Sequence, residues 1–212
     1  MVLLLLVAAA AQATPDPVAS PSLFADPALA AALGDLDATP GAWAEYLVRG
    51  DGKGDLRVRA TALAAEGAGK YWLELASASE TGIASSARLL IHGNGFSPQN
   101  VERLYVMVLG QQPIEVPPDQ IHAAGARPGP RRMSRVRRVG TERIRVPAGE
   151  FTAQVFAVSG TRVWRAASVP LWGLVRARSA ERSIELVAFG AKGGRSLFPA
   201  GWSQGNGSES RK

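Results

Sequence analysis

The most concentrated charge in this sequence lies between positions 127 and 145. Eight arginines fall in these nineteen positions, and Glu142 is the only acid among them. A guanidinium pairs with carboxylate or phosphate through two parallel hydrogen bonds, so the cluster could contact lipid headgroups, lipopolysaccharide phosphates or an acidic protein. A solvated strand edge that charge keeps from aggregating would explain the same pattern. The arginines predicted to meet an anionic headgroup or partner are Arg131, Arg132, Arg135, Arg137 and Arg138.

Side chains suited to catalysis are few and have no motif partners. His92 and His122 are the two histidines, and either could act as a general base, but a capping or surface role is the simpler interpretation. The Gly-Asn-Gly turn after His92 lacks the strand-to-helix context of a phosphate-binding loop. We therefore expect no enzymatic activity, no cofactor and no metal site.

Length and composition fit one globular domain. The chain has 212 residues, of which 46% are hydrophobic and 20% charged, and these values exclude both a disordered chain and a polytopic membrane protein. The absence of cysteine excludes disulfides, thiolate metal sites, a cysteine nucleophile and a lipidated cysteine. Arginine outnumbers lysine by 20 to 4, which an arginine-rich codon bias would also produce.

The N-terminus predicts export. Residues 1–11 read MVLLLLVAAAA, which is too short to span a bilayer, and Ala11-Gln12-Ala13 is a small-x-small cleavage site. No basic residue precedes the apolar run, and a buried N-terminal helix is the alternative interpretation. We predict a signal peptide over residues 1–13 and a periplasmic protein without a lipid anchor. Nucleic acid is not an expected partner, because export separates the protein from it.

The remaining chain predicts strands with very little helix. Residues 14–40 predict a flexible, proline-rich leader with a short helix that starts at Pro27 and ends at Gly34. Over residues 41–191, apolar residues recur mainly at period two between glycine-rich turns, which predicts nine or ten antiparallel strands. Ser97-Pro98 predicts a helical turn before one of them. Residues 111–130 hold five prolines and predict no strand, and residues 192–212 predict a disordered tail.

Many of these strands are apolar on both faces. Leu104, Val106 and Val108, for example, alternate with apolar residues rather than with polar ones. A sheet that is solvated on one face would alternate more cleanly, so something must cover the second face. With so little helix available, a mainly β fold is predicted, in which a strongly curved antiparallel sheet or open half-barrel encloses an apolar interior.

One segment carries a family resemblance. Residues 143–153 read RIRVPAGEFTA, a strand, a Pro-Ala-Gly turn and a second strand that resumes at an aromatic residue, and VPLWGLV follows at residues 169–175. This arrangement resembles exported bacterial envelope proteins that are similar to the periplasmic lipoprotein carriers LolA and LolB. The resemblance covers roughly residues 41–191 and implies a LolA-like half-barrel with an apolar concave face. No lipoprotein-binding residue of the carriers maps onto a motif here, so none is transferred.

Two functions are compatible with this sequence. In the first, the protein carries a lipid, a lipoprotein acyl chain or another amphipathic envelope ligand, with possible contact to a membrane surface. In the second, the interior is filled by the protein's own side chains, and the arginine-rich surface docks an acidic envelope protein. We expect a monomer in either case. The residues predicted to line an apolar cavity are Tyr71, Leu73, Leu75, Leu89, Ile91, Tyr105, Met107, Phe156, Trp164 and Trp172.

Overall fold

A computed structural model describes residues 27–50, 54–79, 84–93, 95, 98–108, 110–125 and 135–199; the side chains of residues 27–28, 98 and 122–125 are not part of that description. The predicted signal peptide, residues 14–26 of the proline-rich leader, Arg131 and Arg132 lie outside the described residues. None of the helices in these ranges is long and apolar enough to cross a membrane.

Eleven antiparallel strands form one sheet, with a few short helices beside it. The strands are β1 (Trp43–Gly50), β2 (Leu56–Ala65), β3 (Lys70–Ser79), β4 (Ala84–His92), β5 (Val101–Val108), β6 (Ile114–Val116), β7 (Arg137–Val146), β8 (Gly149–Val158), β9 (Thr161–Arg165), β10 (Leu174–Arg178) and β11 (Arg182–Gly190). The helices are α1 (Pro27–Leu33), α2 (Pro118–Gly125) and a 3-10 turn at Pro98–Asn100. The predicted mainly β fold with an antiparallel sheet is confirmed.

The first and last strands meet in the middle of the sheet. The strand order is β6-β5-β4-β3-β2-β1-β11-β10-β9-β8-β7, so each half is a run of neighbours in sequence and the β1–β11 pair joins the halves. Short glycine-containing connections favour this arrangement, because each hairpin can close locally. The end strands β6 and β7 each pair with one neighbour within the described residues, so the sheet stays open.

The β7 end of the sheet bends back toward β11. The backbone N–H of Ala148, in the turn between β7 and β8, donates to the carbonyl of Leu186 at 3.2 Å. The rings of Phe151 and Phe189 lie 5.9 Å apart, which adds an apolar contact between β8 and β11. Strands that lie several positions apart in the sheet order can touch only if the sheet is curved.

Helix α1 packs against strands β8 and β9. Leu29 and Leu33 point into the core, and Gly34 takes a positive φ of 67° that ends the helix. The Arg165 guanidinium donates to the carbonyls of Trp172 at 3.0 Å and of Ala32 at 3.4 Å. Burial lowers the pKa of Arg165, and the charge of Asp35 opposes that shift. This arginine therefore ties the helix end to the sheet.

Residues 111–130 contain structure that the sequence analysis missed. The three-residue strand β6 pairs with β5, and α2 begins at Pro118, where a proline is tolerated because the first helical N–H needs no partner. Ile121 of α2 is buried in the core. The prediction that this segment contains no strand was wrong. It gave more weight to the prolines of the segment than to a short strand pattern. The helical turn predicted after Ser97 is confirmed by the 3-10 turn.

Residues 192–199 lie across the outer face of the sheet. The Trp43 indole donates to the carbonyl of Lys192 at 3.2 Å, and the Gly194 N–H donates to the carbonyl of Gly41 at 2.8 Å. Phe198 is buried against β3, β4 and β5. We call residues 192–199 the C-terminal strap. It occupies the start of the segment that the sequence analysis assigned to a tail, and residues 200–212 lie outside the described residues.

Candidate docking surface

The structure places seven of the ten predicted cavity residues in the main core, and five of these form one group on neighbouring strands. They come from β3 and β4, where the register sets Tyr71 opposite Ile91 and Leu73 opposite Leu89. Leu73 and Ile91 have no exposed surface at all. A channel wide enough for an acyl chain would leave a water-accessible surface on the side chains that line it. The members of this group are Tyr71, Leu73, Leu75, Leu89 and Ile91.

Tyr105 and Met107 lie on the other face of the sheet. They form a second apolar cluster with Trp72 and Leu90, which Phe198 of the C-terminal strap covers. The Trp72 and Tyr105 rings are 6.0 Å apart. The structure therefore separates these two residues from the interior group with which the sequence analysis combined them.

Of the remaining three aromatic residues, Trp164 and Trp172 also belong to the main core, whereas Phe156 does not. Phe156 is half-buried, and the Arg165 guanidinium lies 5.5 Å from its ring. Trp164 is buried, and its indole N–H donates to Glu142 at 2.8 Å. Trp172 is completely buried in the bend between β9 and β10. Each of these rings packs against protein, which is the usual role of large aromatic side chains in a small sheet.

A buried ion pair lies beneath the C-terminal strap. Glu74 of β3 and Arg88 of β4 are directly opposite each other, and their side chains are 2% and 8% exposed. Their closest charged atoms are 3.4 Å apart, and the Ser196 hydroxyl bonds to both side chains. Burial lowers the pKa of the Arg88 guanidinium, whereas the carboxylate of Glu74 opposes that shift. Sequence alternation alone gives no signal for this contact, because the strap is more than a hundred residues away.

Strand β7 and the residues just before it carry the described part of the predicted arginine cluster. Arg135, Arg137, Arg138 and Arg143 are exposed, and their side chains form no ion pair or hydrogen bond within the described residues. Arg145 faces Glu150 at 3.8 Å, with both side chains well exposed. Since an exposed pair of this kind contributes little, the surface keeps a strong positive potential. The arginines at 131 and 132 lie outside the described residues.

The start of β7 is also apolar at its surface. Val136 and Val139 are 38% and 45% exposed, which places two large hydrophobic side chains among the arginines. If the arginines served only to prevent aggregation of an exposed strand, exposed valines beside them would oppose that role. Mixed apolar and arginine surfaces are typical of protein interfaces.

One edge of β7 has backbone groups that do not pair with β8. In an antiparallel pair, alternate residues direct their N–H and C=O toward the neighbour and away from it. The carbonyl of Arg145 accepts from the Arg176 guanidinium at 2.7 Å, which shows that it points away from β8. Thr141 and Arg143, four and two residues earlier, therefore direct their backbone groups toward the same open side. We use the name β7 edge for the side of β7 that faces away from β8, together with the exposed arginines and valines of this strand.

A second group of arginines lies in an open pocket on β1, β10 and β11. Its cavity volume is about 290 Å³, and the sequence analysis did not identify it. Arg176 and Arg178 alternate along β10, a spacing that places both on one face and could have been noticed. The pocket is lined by Arg49, Arg176, Arg178, Ser183 and Glu185.

In the part of the chain that the structure describes, His92 and the carboxylates form no recognisable catalytic group. His92 is exposed at the end of β4, and the side chain of His122 is not described. Among the described residues, no three His, Cys, Asp or Glu side chains are grouped so that they could hold a metal ion.

Comparison with known proteins gives one weak structural likeness. No family model matches the chain, and no curated protein matches its sequence. The crystal structure of MucB in complex with MucA(peri) is similar with a TM-score of 0.31 and 11% sequence identity, over 82% of this chain. The chain spans 56% of that MucB chain.

Proposed function

We propose that this protein is a non-enzymatic docking module of the bacterial cell envelope, which binds an extended acidic segment of another envelope protein along the β7 edge. The observation that carries the proposal is the coincidence of three features on one strand. These are exposed arginines without ion partners, exposed valines, and backbone groups on an open side.

The expected binding mode is strand addition. An extended peptide that pairs with an open sheet edge gains affinity from backbone hydrogen bonds and specificity from its alternate side chains. Thr141, Arg143 and Arg145 alternate on one exposed face of β7. Acidic side chains at every second position of the incoming segment would lie opposite this row, where opposite charges stabilise a strand pair.

The interior favours docking over acyl-chain carriage. Leu73, Ile91 and Trp172 have no exposed surface, and the core that contains them continues through the sheet to α1. Carriage of an acyl chain would require these side chains to separate, at a cost of about 25 cal/mol for each Å² of apolar surface that water then reaches. Docking at the β7 edge requires no such rearrangement.

The proposed location is the periplasm. It rests on the apolar segment and cleavage site within residues 1–13, and on the resemblance to exported envelope proteins. Mass spectrometry of the protein recovered from a bacterial periplasmic extract tests it: a chain that begins at Thr14 is expected. Recovery of the full-length chain from the cytoplasmic fraction alone would contradict export.

The binding experiment uses a synthetic peptide as long as β7, in which glutamate alternates with valine, and a matched peptide with lysine for glutamate. Fluorescence anisotropy at low salt should detect binding of the glutamate peptide only, and the affinity should fall as salt screens the charges. Arg143→Gln should weaken binding about 2- to 5-fold, which corresponds to the loss of one exposed ion pair of about 0.5–1 kcal/mol. Equal binding of both peptides, or of neither, would overturn the proposal.

A second variant tests the backbone edge. Thr141→Pro removes an N–H that points away from β8, so the β7–β8 ladder should survive while strand addition is blocked. Thr141→Val keeps the N–H and serves as its control. We expect peptide binding to be lost in the first variant and retained in the second.

Native mass spectrometry of the purified protein tests the competing carrier function. A lipid-sized adduct would favour carriage and contradict the docking proposal.

A further inference from the structure

The pocket on β1, β10 and β11 contains a row of three polar side chains at one level of the sheet. The register sets Arg178 of β10 opposite Ser183 of β11, and Ser183 opposite Arg49 of β1. Residues that are directly opposite across adjacent strands project from the same face about 5 Å apart. The Ser183 hydroxyl therefore lies between two guanidinium-bearing side chains.

The next row of side chains along these strands contains Arg176 and Glu185, and it holds the row of Arg178, Ser183 and Arg49 in position. Arg176 is directly opposite Glu185, and their charged groups approach to 2.8 Å. The other oxygen of Glu185 accepts from Arg49 at 3.2 Å, so one carboxylate orients two guanidinium groups. The carbonyl of Arg145 also accepts from Arg176 at 2.7 Å. These contacts fix the planes of Arg49 and Arg176 before any ligand arrives.

Two donors in the pocket are unused. The guanidinium of Arg178 and the hydroxyl of Ser183 form no hydrogen bond with any part of the chain that the structure describes. Arg178 is exposed and Ser183 is half-buried, so a ligand can reach both.

The charge of the pocket favours an anion. Three arginines and one glutamate line it, which leaves two positive charges in excess. Asp55 lies outside the lining but pairs with Arg49 at 3.2 Å, and this carboxylate reduces the local excess to one positive charge. Donors that approach from three separate strands suit a tetrahedral anion with several oxygens better than a planar carboxylate. Arginine is favoured at phosphate sites because its planar fork binds two oxygens at once.

We propose that this pocket binds the phosphate group of a phosphomonoester, with Arg178 and Arg49 on either side and the Ser183 hydroxyl between them. A cavity of about 290 Å³ accommodates a phosphate with part of the molecule that bears it. The bearer is either a small free phosphate ester or a lipid with a phosphomonoester headgroup. The proposal does not rest on docking at the β7 edge, although Arg176 connects the pocket to the Arg145 carbonyl on that edge.

Isothermal titration calorimetry with inorganic phosphate tests the site, and acetate is the comparison anion. We expect phosphate to bind more tightly than acetate, Arg178→Gln to weaken phosphate binding about tenfold, and Ser183→Ala to weaken it about 2- to 5-fold. Arg57→Gln is the matched control, because Arg57 is an exposed arginine of the adjacent strand that pairs with Glu45 outside the pocket. It removes the same charge and should leave binding unchanged.

Two further probes distinguish the source of the phosphate. Glycerol 3-phosphate represents a free ester, and phosphatidylcholine vesicles that contain phosphatidic acid represent a lipid headgroup. Binding of either probe that Arg178→Gln weakens supports the site and assigns its bearer. Failure to bind inorganic phosphate, equal binding of phosphate and acetate, or an equal loss in Arg57→Gln and Arg178→Gln would overturn it. Since the acidic peptide binds a different strand, its binding in Arg178→Gln shows whether docking stands when this proposal fails.

Discussion

The carboxylate of Glu74 accepts a hydrogen bond from the backbone N–H of Leu197 at 2.7 Å, which ties strand β3 to a residue 123 positions later in the chain. Its second oxygen accepts from the Ser196 hydroxyl at 2.6 Å. Hydrogen bonds to a buried carboxylate offset the cost of removing it from water. The C-terminal strap is therefore attached to the sheet by polar contacts with a residue that is itself buried.

Phe198 should be the main apolar anchor of the strap. Its side chain is 5% exposed in the cluster with Trp72, and the Arg88 guanidinium lies 4.2 Å above its ring. Phe198→Ala should lower the free energy of unfolding by about 2–3 kcal/mol, because it leaves a cavity and exposes the cluster to water. Urea denaturation measures the change, and a red shift of tryptophan fluorescence reports exposure of Trp72.

Leu197→Ala is the control on the same segment. Leu197 is 53% exposed, so its truncation should change the stability by no more than about 0.5 kcal/mol. Equal effects of the two substitutions would show that the strap has no specific anchor at Phe198.

The Glu74–Arg88 pair should be strongly coupled. Arg88→Met leaves a buried carboxylate without its cation and should cost about 3–5 kcal/mol of stability. In the double variant Glu74→Met Arg88→Met no unpaired charge remains, so its loss should be smaller than the sum of the single losses by at least about 1 kcal/mol. Urea denaturation of all four proteins closes the cycle. Simple additivity would mean that the two side chains contribute independently.

The local elements could be predicted from the sequence, but the contacts between distant segments could not. Alternation along β3 correctly places Tyr71, Leu73 and Leu75 on one face and Trp72 on the other. Alternation says nothing about which face of β5 continues that of β4, because the register between strands decides it. Tyr105 is opposite Arg88 and belongs to the outer face, which only the pairing reveals.

The candidate sites show the same limit. The exposed arginines of β7 could be found because they are neighbours in sequence. Arg49 and Arg178 become neighbours only because the first strand pairs with the last, and the strand order was not accessible from the sequence. A charged residue in an otherwise apolar strand, such as Glu74, indicates that a specific partner exists. The sequence does not indicate that this partner lies in the strap.

Stability should fall at alkaline pH through the buried tyrosines. The hydroxyl of Tyr71 is buried without a hydrogen-bond partner in the described structure, and burial raises its pKa to about 12. Burial raises the pKa of Tyr46 as well. In the unfolded chain a tyrosine loses its proton near pH 10. Between these values the unfolded state has lost a proton that the folded state keeps, so the free energy of unfolding decreases as pH rises.

The substitution that tests this is Tyr71→Phe. Urea midpoints at pH values of about 9 and about 11 should show a smaller alkaline loss of stability in the variant than in the unsubstituted protein. Tyr71→Phe Tyr46→Phe should reduce the loss further. An identical pH dependence in all three proteins would show that neither hydroxyl is protected from ionisation in the folded state.

The bend before β10 should depend on a glycine at position 173. Gly173 has a φ of 70°, and a Cβ placed there would meet the carbonyl oxygen of Ala166 at 3.0 Å. The Ala166 N–H donates to the carbonyl of Gly173 at 2.8 Å, so the two backbones cannot separate without the loss of this bond.

Gly160→Ala is the control for Gly173→Ala, because φ at Gly160 is 81° and no atom lies within 4 Å of the added Cβ. The control should cost about 1 kcal/mol for the positive φ alone, whereas Gly173→Ala should cost about 2–3 kcal/mol because the contact adds to it. Thermal denaturation of both variants measures the difference, and equal melting temperatures would mean that the bend relaxes around the methyl group.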